Sequence, residues 1–365
     1  MRTGDISRLR LPSLDGLRAL SILVVLLAHL SGTAGFGRLP IWLTEGLAVL
    51  GVRVFFVISG FLITSLLLRE EADTGTVSLR HFYLRRTLRI FPAFYAYAAV
   101  IAVVGWLGRL QLHRFDLLAA VTYTTNYHHQ RSWYLGHLWS LAVEEQFYLL
   151  WPFLMKYLGG RRAAGLALAT VILSPLLRFA LLVDAPSFRQ GIGETFPTVA
   201  DAIATGCLLA CHRARIDAWP RLTAFLRGPR FWSIPAVALG AAFVPSAKVD
   251  CLLGQTIANL GIALVIDRMV RFPEALSGRF LNARPVVFVG VLSYSLYLWQ
   301  QPFLARESHR GTASFPLNLA LTIALALCSH YLIERPALRF RARLEGMSRL
   351  FGRAPRVATV NPSPP

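Results

Sequence analysis

With 365 residues, of which 55% are hydrophobic and only 16% charged, and a mean hydropathy of +0.51, this chain departs from soluble domains, which run at roughly 45–50% apolar and about 25% charged. The net charge of +19 would suggest a nucleic-acid partner in a soluble protein. Almost all the cations are Arg, however, with Lys156 and Lys248 the only lysines, and the cytoplasmic loops of membrane proteins collect such charge under the positive-inside rule. Membrane lipids are therefore the expected surroundings, and nucleic acid is excluded as a partner.

The N-terminus imitates a signal peptide. Arg2, Arg8 and Arg10 precede the apolar run Ala19 to Ala28, which is followed by the small residues Ser31 to Ala34. Arg18 and His29 bracket that run, which is unexpected in a disposable segment and expected of a helix that stays and works. From there, apolar stretches on the order of 17–25 residues, the length that crosses a bilayer, recur as far as Leu332 with gaps too short for a soluble domain. The pattern predicts an all-α, polytopic membrane protein with about ten transmembrane helices. Their expected spans are 17–33, 46–68, 92–108, 138–156, 163–183, 197–211, 231–246, 251–267, 286–303 and 315–333.

The stretch 115–127 is apolar but short, and is expected to be re-entrant or interfacial. With ten spans and both termini cytoplasmic, 27 of the 38 Lys and Arg residues fall on the inner side. An eleventh crossing at 115–127 would move the run Arg213 to Arg230 outside, against the rule. Residues 1–335 then form one membrane domain, and 336–365 a basic cytoplasmic tail that is disordered at its Pro-rich end. Within the tail, Arg339, Arg341, Arg343 and Arg349 alternate with Leu338, Phe340, Leu344 and Leu350, as in a helix lying on anionic lipid. Cys207, Cys211, Cys251 and Cys328 sit in or beside apolar stretches without a zinc-type pair, and no metal site is expected.

An ionisable side chain inside a span costs about 2.5–3.5 kcal/mol on insertion scales, so each one is a functional candidate. Arg18 and His29 lie eleven residues apart, about 1100° of helix or 20° past three turns, so they share a face, separated by about 16 Å along the axis. Arg53 also falls inside a span, with its role open. Ser59-Gly60 interrupts the aromatic run beginning Phe55-Phe56 and lets another helix or a ligand approach. Arg85, Arg86 and Arg89, just before the third span, are spaced to converge on one anion, and guanidinium forks suit phosphate, although a lipid-headgroup anchor would use the same residues. In the fourth span His137, Ser140, Glu144 and Tyr148 form one stripe. Glu145, turned by about 100°, is expected at an interface or behind the residues that face the site. Near the end, Tyr294, Tyr297 and Trp299 suggest an aromatic belt at the outer boundary.

Taken together and in this order, these segments resemble the acyltransferase-3 family of membrane acyltransferases, which modify sugars, cell-envelope glycans and some secondary metabolites. The resemblance rests on Leu14-Asp15-Gly16-Leu17-Arg18 with ten residues before His29, on Phe55-Phe56 leading to Ser59-Gly60-Phe61-Leu62, and on Arg85-Arg86 with Arg89. It continues through His137 and Trp139-Ser140-Leu141 to Glu144, then Ser293-Tyr294-Ser295-Leu296-Tyr297-Leu298, then Glu334 and Pro336. It implies that Arg18, His29 and Glu144 are needed for transfer and that an acyl-CoA, often acetyl-CoA, is the donor substrate, with no bound cofactor. Gln300-Gln301-Pro302 stands where many members carry a His before the Pro, so no catalysis is assigned there. Some relatives append an extracytoplasmic hydrolase-like domain; this sequence is expected to stand alone.

Moving an acyl group from thioester to hydroxyl needs a base for the acceptor proton and a cation or dipole for the oxyanion. His29 fits the base, since imidazole titrates near pH 6.5, and Glu144 is expected to orient its ring. Ser59 is the candidate oxyanion donor, Arg85, Arg86 and Arg89 would hold the CoA phosphates, and Arg18, His137 and Ser140 complete the substrate-binding set. The acceptor is expected to be a carbohydrate, a cell-envelope glycan or a glycosylated metabolite, and the location the bacterial inner membrane. Intramembrane Arg, His and Glu would also suit a proton-coupled exporter of lipid or sugar, but the repeated halves that would favour one are not evident.

Overall fold

The computed structural model describes residues 11–306 and 311–351. Arg2, Arg8, Arg10, the side chains of Arg349 and Leu350 and the Pro-rich end fall outside the description. Among the described residues every regular element is helical. In chain order the α-helices are α1 Pro12–Leu30, α2 Ile41–Thr74, α3 Leu79–Trp106, α4 Asp116–Val121, α5 Trp133–Gly136, α6 Leu138–Asp184, α7 Phe196–Asp217 and α8 Pro220–Arg227. They continue with α9 Ser233–Ala241, α10 Ala247–Val249, α11 Gln255–Arg271, α12 Leu276–Leu281, α13 Arg284–Trp299, α14 Leu317–Ser329 and α15 Arg335–Phe351. A π-helical turn, Asp250–Gly254, joins α10 to α11, and another, His330–Glu334, joins α14 to α15.

Among the described residues, six helical stretches are long and apolar enough to cross a membrane. One of them, Trp133–Asp184, contains two of the expected spans, because Gly159 leaves helical geometry at φ 73° and ψ 161° and divides α6 into two arms. Only a residue without a Cβ takes that conformation cheaply. The span expected at 231–246 is not a full-length helix. Its α-helical part is the nine residues of α9, about 14 Å at 1.5 Å per residue, less than half of a hydrocarbon core. Gly240 weakens that helix and Pro245 lies beyond its end. Conversely α2, with 34 residues, reaches about 51 Å and outruns the bilayer.

The ambiguous stretch 115–127 holds only the six residues of α4 and a short 3-10 turn, flanked by Phe115 and Tyr123 with φ of 71° and 53°. Six residues cover about 9 Å, so no helical crossing exists there. Buried Asp116 ties the segment down: its carboxylate accepts from the backbone N–H groups of His113 (2.8 Å) and Ser132 (3.1 Å) and lies 3.0 Å from the His128 ring. The segment is also tied to α6, where Gln146 Nε2 donates to the Tyr123 carbonyl and to Asn126 Oδ1, each at 2.9 Å.

Helices approach to backbone contact where the sequence supplies glycine. A Cβ on Gly60 of α2 would lie 2.0 Å from the Ile203 carbonyl oxygen, and one on Gly206 of α7 would lie 2.1 Å from the Val57 carbonyl oxygen. The same holds for α1 and α13, where a Cβ on Gly290 would meet the Asp15 carbonyl oxygen at 1.8 Å. With lipid as apolar as the helices themselves, such close packing is a main source of association. The aromatic belt expected at Tyr297 and Trp299 is instead interior: both are buried, and Trp299 packs edge-on against Tyr97 at 5.3 Å. Their helix faces α1, α3 and α14 on several sides, which leaves little of it for the membrane boundary.

The Gly290→Ala variant should therefore lose folded yield and thermal stability in detergent, because no flexible neighbour can yield to the new methyl group. Gly165→Ala is the matched control, since nothing lies within 4 Å of its added Cβ and the helix gains about 1 kcal/mol of propensity. Equal melting temperatures for the two would refute the close-contact account.

Candidate active site

A cavity of about 460 Å³ lies among α1, α2, α3, α6 and α13, with the C-terminal helices along one side. Its wall includes Arg18, Arg86 and Arg89 together with Ser59, Ser140 and Glu144, so one space gathers residues from four separate sequence motifs. Along α6, Ser140, Glu144 and Tyr148 follow one another at roughly a turn each, and all three line it, as the stripe predicts. Glu145 lines it too, and is thus not merely at an interface.

The centre of the cavity is a short hydrogen-bonded chain. The Ser59 hydroxyl donates to Glu144 Oε1 at 2.7 Å and accepts from the Tyr148 hydroxyl at 3.1 Å. One turn further, Trp151 Nε1 donates to Thr64 Oγ1 at 2.8 Å, so α2 and α6 are stitched twice by polar contacts. The Arg86 guanidinium lies over the Tyr148 ring at 4.3 Å, a cation–π contact that fixes the planar group facing the cavity. Arg18 is 3.4 Å from Asp15 on its own helix. At the other end of the α6 stripe, the Ser140 and Tyr297 hydroxyls are 2.7 Å apart, and the Tyr297 hydroxyl donates to the His137 carbonyl at 2.9 Å.

Two expectations about this site are corrected. Arg85 does not join Arg86 and Arg89: its Nε donates to Glu345 on α15 at 3.0 Å, and it is absent from the cavity wall. Spacing within α3 could not foretell this, because the competing carboxylate lies 260 residues away. Glu144 does not orient His29. Its hydroxyl partner is Ser59, and the proton given to Glu144 is the one that Ser59 would have offered to an oxyanion.

His29 stands apart from the cavity wall, near the end of α1, with Nδ1 at 3.0 Å from Gln300 Oε1. An amide oxygen only accepts, so Nδ1 carries the hydrogen and Nε2 keeps its lone pair. The ring also meets Trp133 edge-on at 5.5 Å. Trp133 is held in turn by its Nε1–H donating to the Gln301 carbonyl at 2.9 Å. The glutamine pair that sequence reasoning set aside is therefore what holds the candidate base. His137 is buried beside it, its ring between Tyr97 (5.5 Å) and Tyr297 (5.3 Å), and also lies outside the cavity wall.

Sequence reasoning also missed a second buried polar group. Arg178, fully buried, donates to Asp201 Oδ2 at 2.8 Å and to the Cys251 carbonyl at 3.1 Å. Arg53 lies 4.0 Å from the other oxygen of Asp201, donates to Asn259 Oδ1 at 3.0 Å and bonds Gln255 Oε1. Arg53, whose role was open in the sequence, is thus part of an Arg–Asp–Arg core linking α2, α6, α7 and α11. Removing Arg178 takes away the hydrogen-bonded partner of Asp201 Oδ2 and leaves that carboxylate only Arg53, at 4.0 Å; breaking a buried pair in this way costs about 3–5 kcal/mol. Arg178→Met should accordingly lower the melting temperature and the folded yield sharply, whereas Arg189→Met, at an exposed position of a 3-10 turn, should change neither. A thermally parent-like Arg178→Met protein would remove the core from any structural role.

The comparisons with known proteins bear on the same segments. The family model described as an acyltransferase domain matches residues 11–335. The chain is 30% identical to the O-acetyltransferase OatA of Staphylococcus aureus, over 92% of this chain and 60% of that protein. It is likewise 30% identical to the peptidoglycan O-acetyltransferase OatA of Listeria monocytogenes, over 92% of this chain and 57% of that protein. The chain thus spans about 60% of the length of these relatives. No solved structure matches it. With the match running through α1 to the end of α14 and through all the segments that line the cavity except α15, the chain belongs to the acyltransferase-3 family of membrane acyltransferases.

Proposed function

We propose that this protein is a multi-pass O-acetyltransferase of the bacterial inner membrane, moving an acetyl group from acetyl-CoA to a hydroxyl of a carbohydrate or cell-envelope glycan. The observation that carries the reading is the single cavity joining Arg18, Arg86 and Arg89 to the Ser59–Glu144 pair, in a chain of a family whose relatives include peptidoglycan O-acetyltransferases. Guanidinium groups supply the forked donors that phosphate oxygens prefer. The pantetheine arm, a long unbranched chain, would run from them past Ser59 and Ser140 toward the His29 end.

In the transfer step the acceptor oxygen attacks the thioester carbonyl and its proton passes to His29 Nε2. The tetrahedral oxyanion then collapses, the C–S bond breaks, and the imidazolium returns the proton to the departing thiolate. The bond from Nδ1 to Gln300 holds the ring in the tautomer that this requires. Glu144 anchors Ser59 and Tyr148 and offsets the neighbouring arginines, which keeps the donor's path in register.

For the bundle we propose ten spans with both termini cytoplasmic, 231–246 crossing as the short α9 together with non-helical backbone shielded by protein, which places the Arg18, Arg86 and Arg89 end on the CoA side and His29 toward the outside. Most of the Lys and Arg residues then face inward. A single cysteine at Arg189 should react with an impermeant thiol reagent in whole cells, and one at Arg227 only after permeabilisation. The reverse pattern would invert the topology.

Activity separates the roles. His29→Ala should abolish acetyl transfer while leaving donor binding and accumulation intact, and Glu144→Gln should be more damaging than Glu145→Gln because only Glu144 carries the Ser59 bond. Replacing Arg86 or Arg89 by Lys keeps the charge but loses the fork, and should weaken acetyl-CoA binding by roughly tenfold. Parent-like turnover in purified His29→Ala protein would dismiss the base, and parent-like donor affinity in both lysine variants would dismiss the donor site.

A further inference from the structure

The C-terminal helix α15, whose basic and apolar residues suggest a lipid-bound helix in the sequence, packs against α3 and contributes Leu338 and Arg341 to the wall of the cavity. A fourth arginine therefore faces the space that holds Arg18, Arg86 and Arg89. Beside it is a carboxylate: Glu345 Oε1 lies 3.0 Å from Arg85 Nε and 3.6 Å from Arg341 Nε. One anion thus sits between two guanidinium groups from different helices, next to the cavity and still partly exposed, the Glu345 side chain at 22%. An ion pair this exposed contributes little to stability, about 0–1 kcal/mol, so a stronger anion can displace the carboxylate at small cost.

We propose that Arg85 and Arg341 form a second phosphate subsite at the mouth of the cavity, reading the ribose 3′-phosphate of the CoA donor, with Glu345 as its placeholder. The inference rests on the acetyl-CoA reading given above. CoA carries its phosphates in two places, a pyrophosphate that continues into the pantetheine arm and a monophosphate on the ribose, and the arginines divide in the same way. Arg86 and Arg89 are within the cavity that the arm would enter, whereas Arg85 turns away from it toward α15. A dianionic phosphate offers three acceptor oxygens against the two of a carboxylate and carries more charge, so exchange favours the phosphate. The same pair of guanidinium groups could serve a lipid phosphate, and the two sources differ in what a donor lacking the 3′-phosphate would do.

The experiment measures binding of acetyl-CoA and of 3′-dephospho-acetyl-CoA to the purified full chain in detergent and in nanodiscs of fixed lipid composition. The parent should bind acetyl-CoA about tenfold or more tighter than the dephospho compound. Arg341→Ala should weaken acetyl-CoA to the level of the dephospho compound and leave the latter unchanged. Glu345→Gln should tighten acetyl-CoA several-fold without affecting the dephospho compound. Arg86→Lys should weaken both. Arg343→Ala, an exposed neighbour on α15, should change neither.

Equal binding of the two donors by the parent overturns the subsite, as does a loss in Arg341→Ala that applies to both. Weaker acetyl-CoA binding in Glu345→Gln makes the carboxylate a strut and overturns its placeholder role. An effect of Arg341→Ala that Arg343→Ala shares and that appears only in nanodiscs assigns the helix to lipid phosphates instead. If the parent binds neither donor, the acetyl-CoA reading fails and takes this inference with it, whereas loss of binding in Arg86→Lys with Arg341→Ala unaffected leaves that reading standing and removes only the subsite.

Discussion

The Ser59–Glu144 hydrogen bond fixes much of what surrounds it. A carboxyl group carried into the middle of a helical bundle must find donors there, because lipid supplies none. Glu144 finds one only if Ser59 of α2 faces α6 at that height, and the contact of 2.7 Å records that this register is met. Ser59 in turn precedes Gly60, whose bare backbone touches Ile203 of α7. Two successive residues of α2 thereby face two different helices, one through a hydrogen bond and one through the absence of a side chain. The neighbouring Tyr148 and Trp151 contacts repeat the α2–α6 register over further turns. The bonded pair itself lines the cavity, whose remaining wall comes from α1, α3 and α13.

The periodicity that made Ser140, Glu144 and Tyr148 one stripe was legible because it is local: three positions on one helix need only the angle per residue to be placed together. The division of α6 near Gly159 and the non-crossing segment at 115–127 were partly legible, from the gap between two apolar runs and from a run too short to cross. What the sequence hides is every choice made between distant segments. Arg85, Arg86 and Arg89 are equivalent by spacing, and only the arrival of Glu345 separates the first from the others. Gln300 looked like a lost histidine, and its role depends on where α13 sets it against α1. Tyr297 and Trp299 have belt-like composition, but burial is decided by the helices packed around them.

The Arg53–Asp201–Arg178 core makes the same point energetically. Two guanidinium groups and one carboxylate are removed from water among four helices, and Asn259, Gln255 and the backbone carbonyls of Thr198 and Cys251 accept further hydrogen bonds from the guanidinium groups. Such an arrangement is poor evidence for net stability, since apolar residues of the same shape could do as well. It is a strong constraint on alternatives, because any slip of α7 along α2 or α6 would strand a charge in an apolar surrounding. The glycine contact of α7 on α2 and this ion core lie on the same helix pair, so close approach and charge pairing specify one register between them.

The polar groups of the bundle are consequently sorted along its axis. Arg18, Arg86, Arg89 and Arg341 gather at one end of the cavity, while His29, held by Gln300 and Trp133, lies about 16 Å further along α1 from Arg18. Between them run hydroxyl groups, Ser59 and Tyr148 and then Ser140 and Tyr297, with the Glu144 carboxyl group bonded to Ser59 among them. An anionic headgroup would be favoured at the first end and disfavoured further along, where Glu144 and Glu145 line the wall, whereas an uncharged chain ending in a thioester would meet hydroxyls and apolar walls there without that repulsion. In the proposed reaction this gradient separates the task of holding the donor from the task of deprotonating the acceptor, and it lets a ligand bound by its phosphates on one side present its acyl group toward the other.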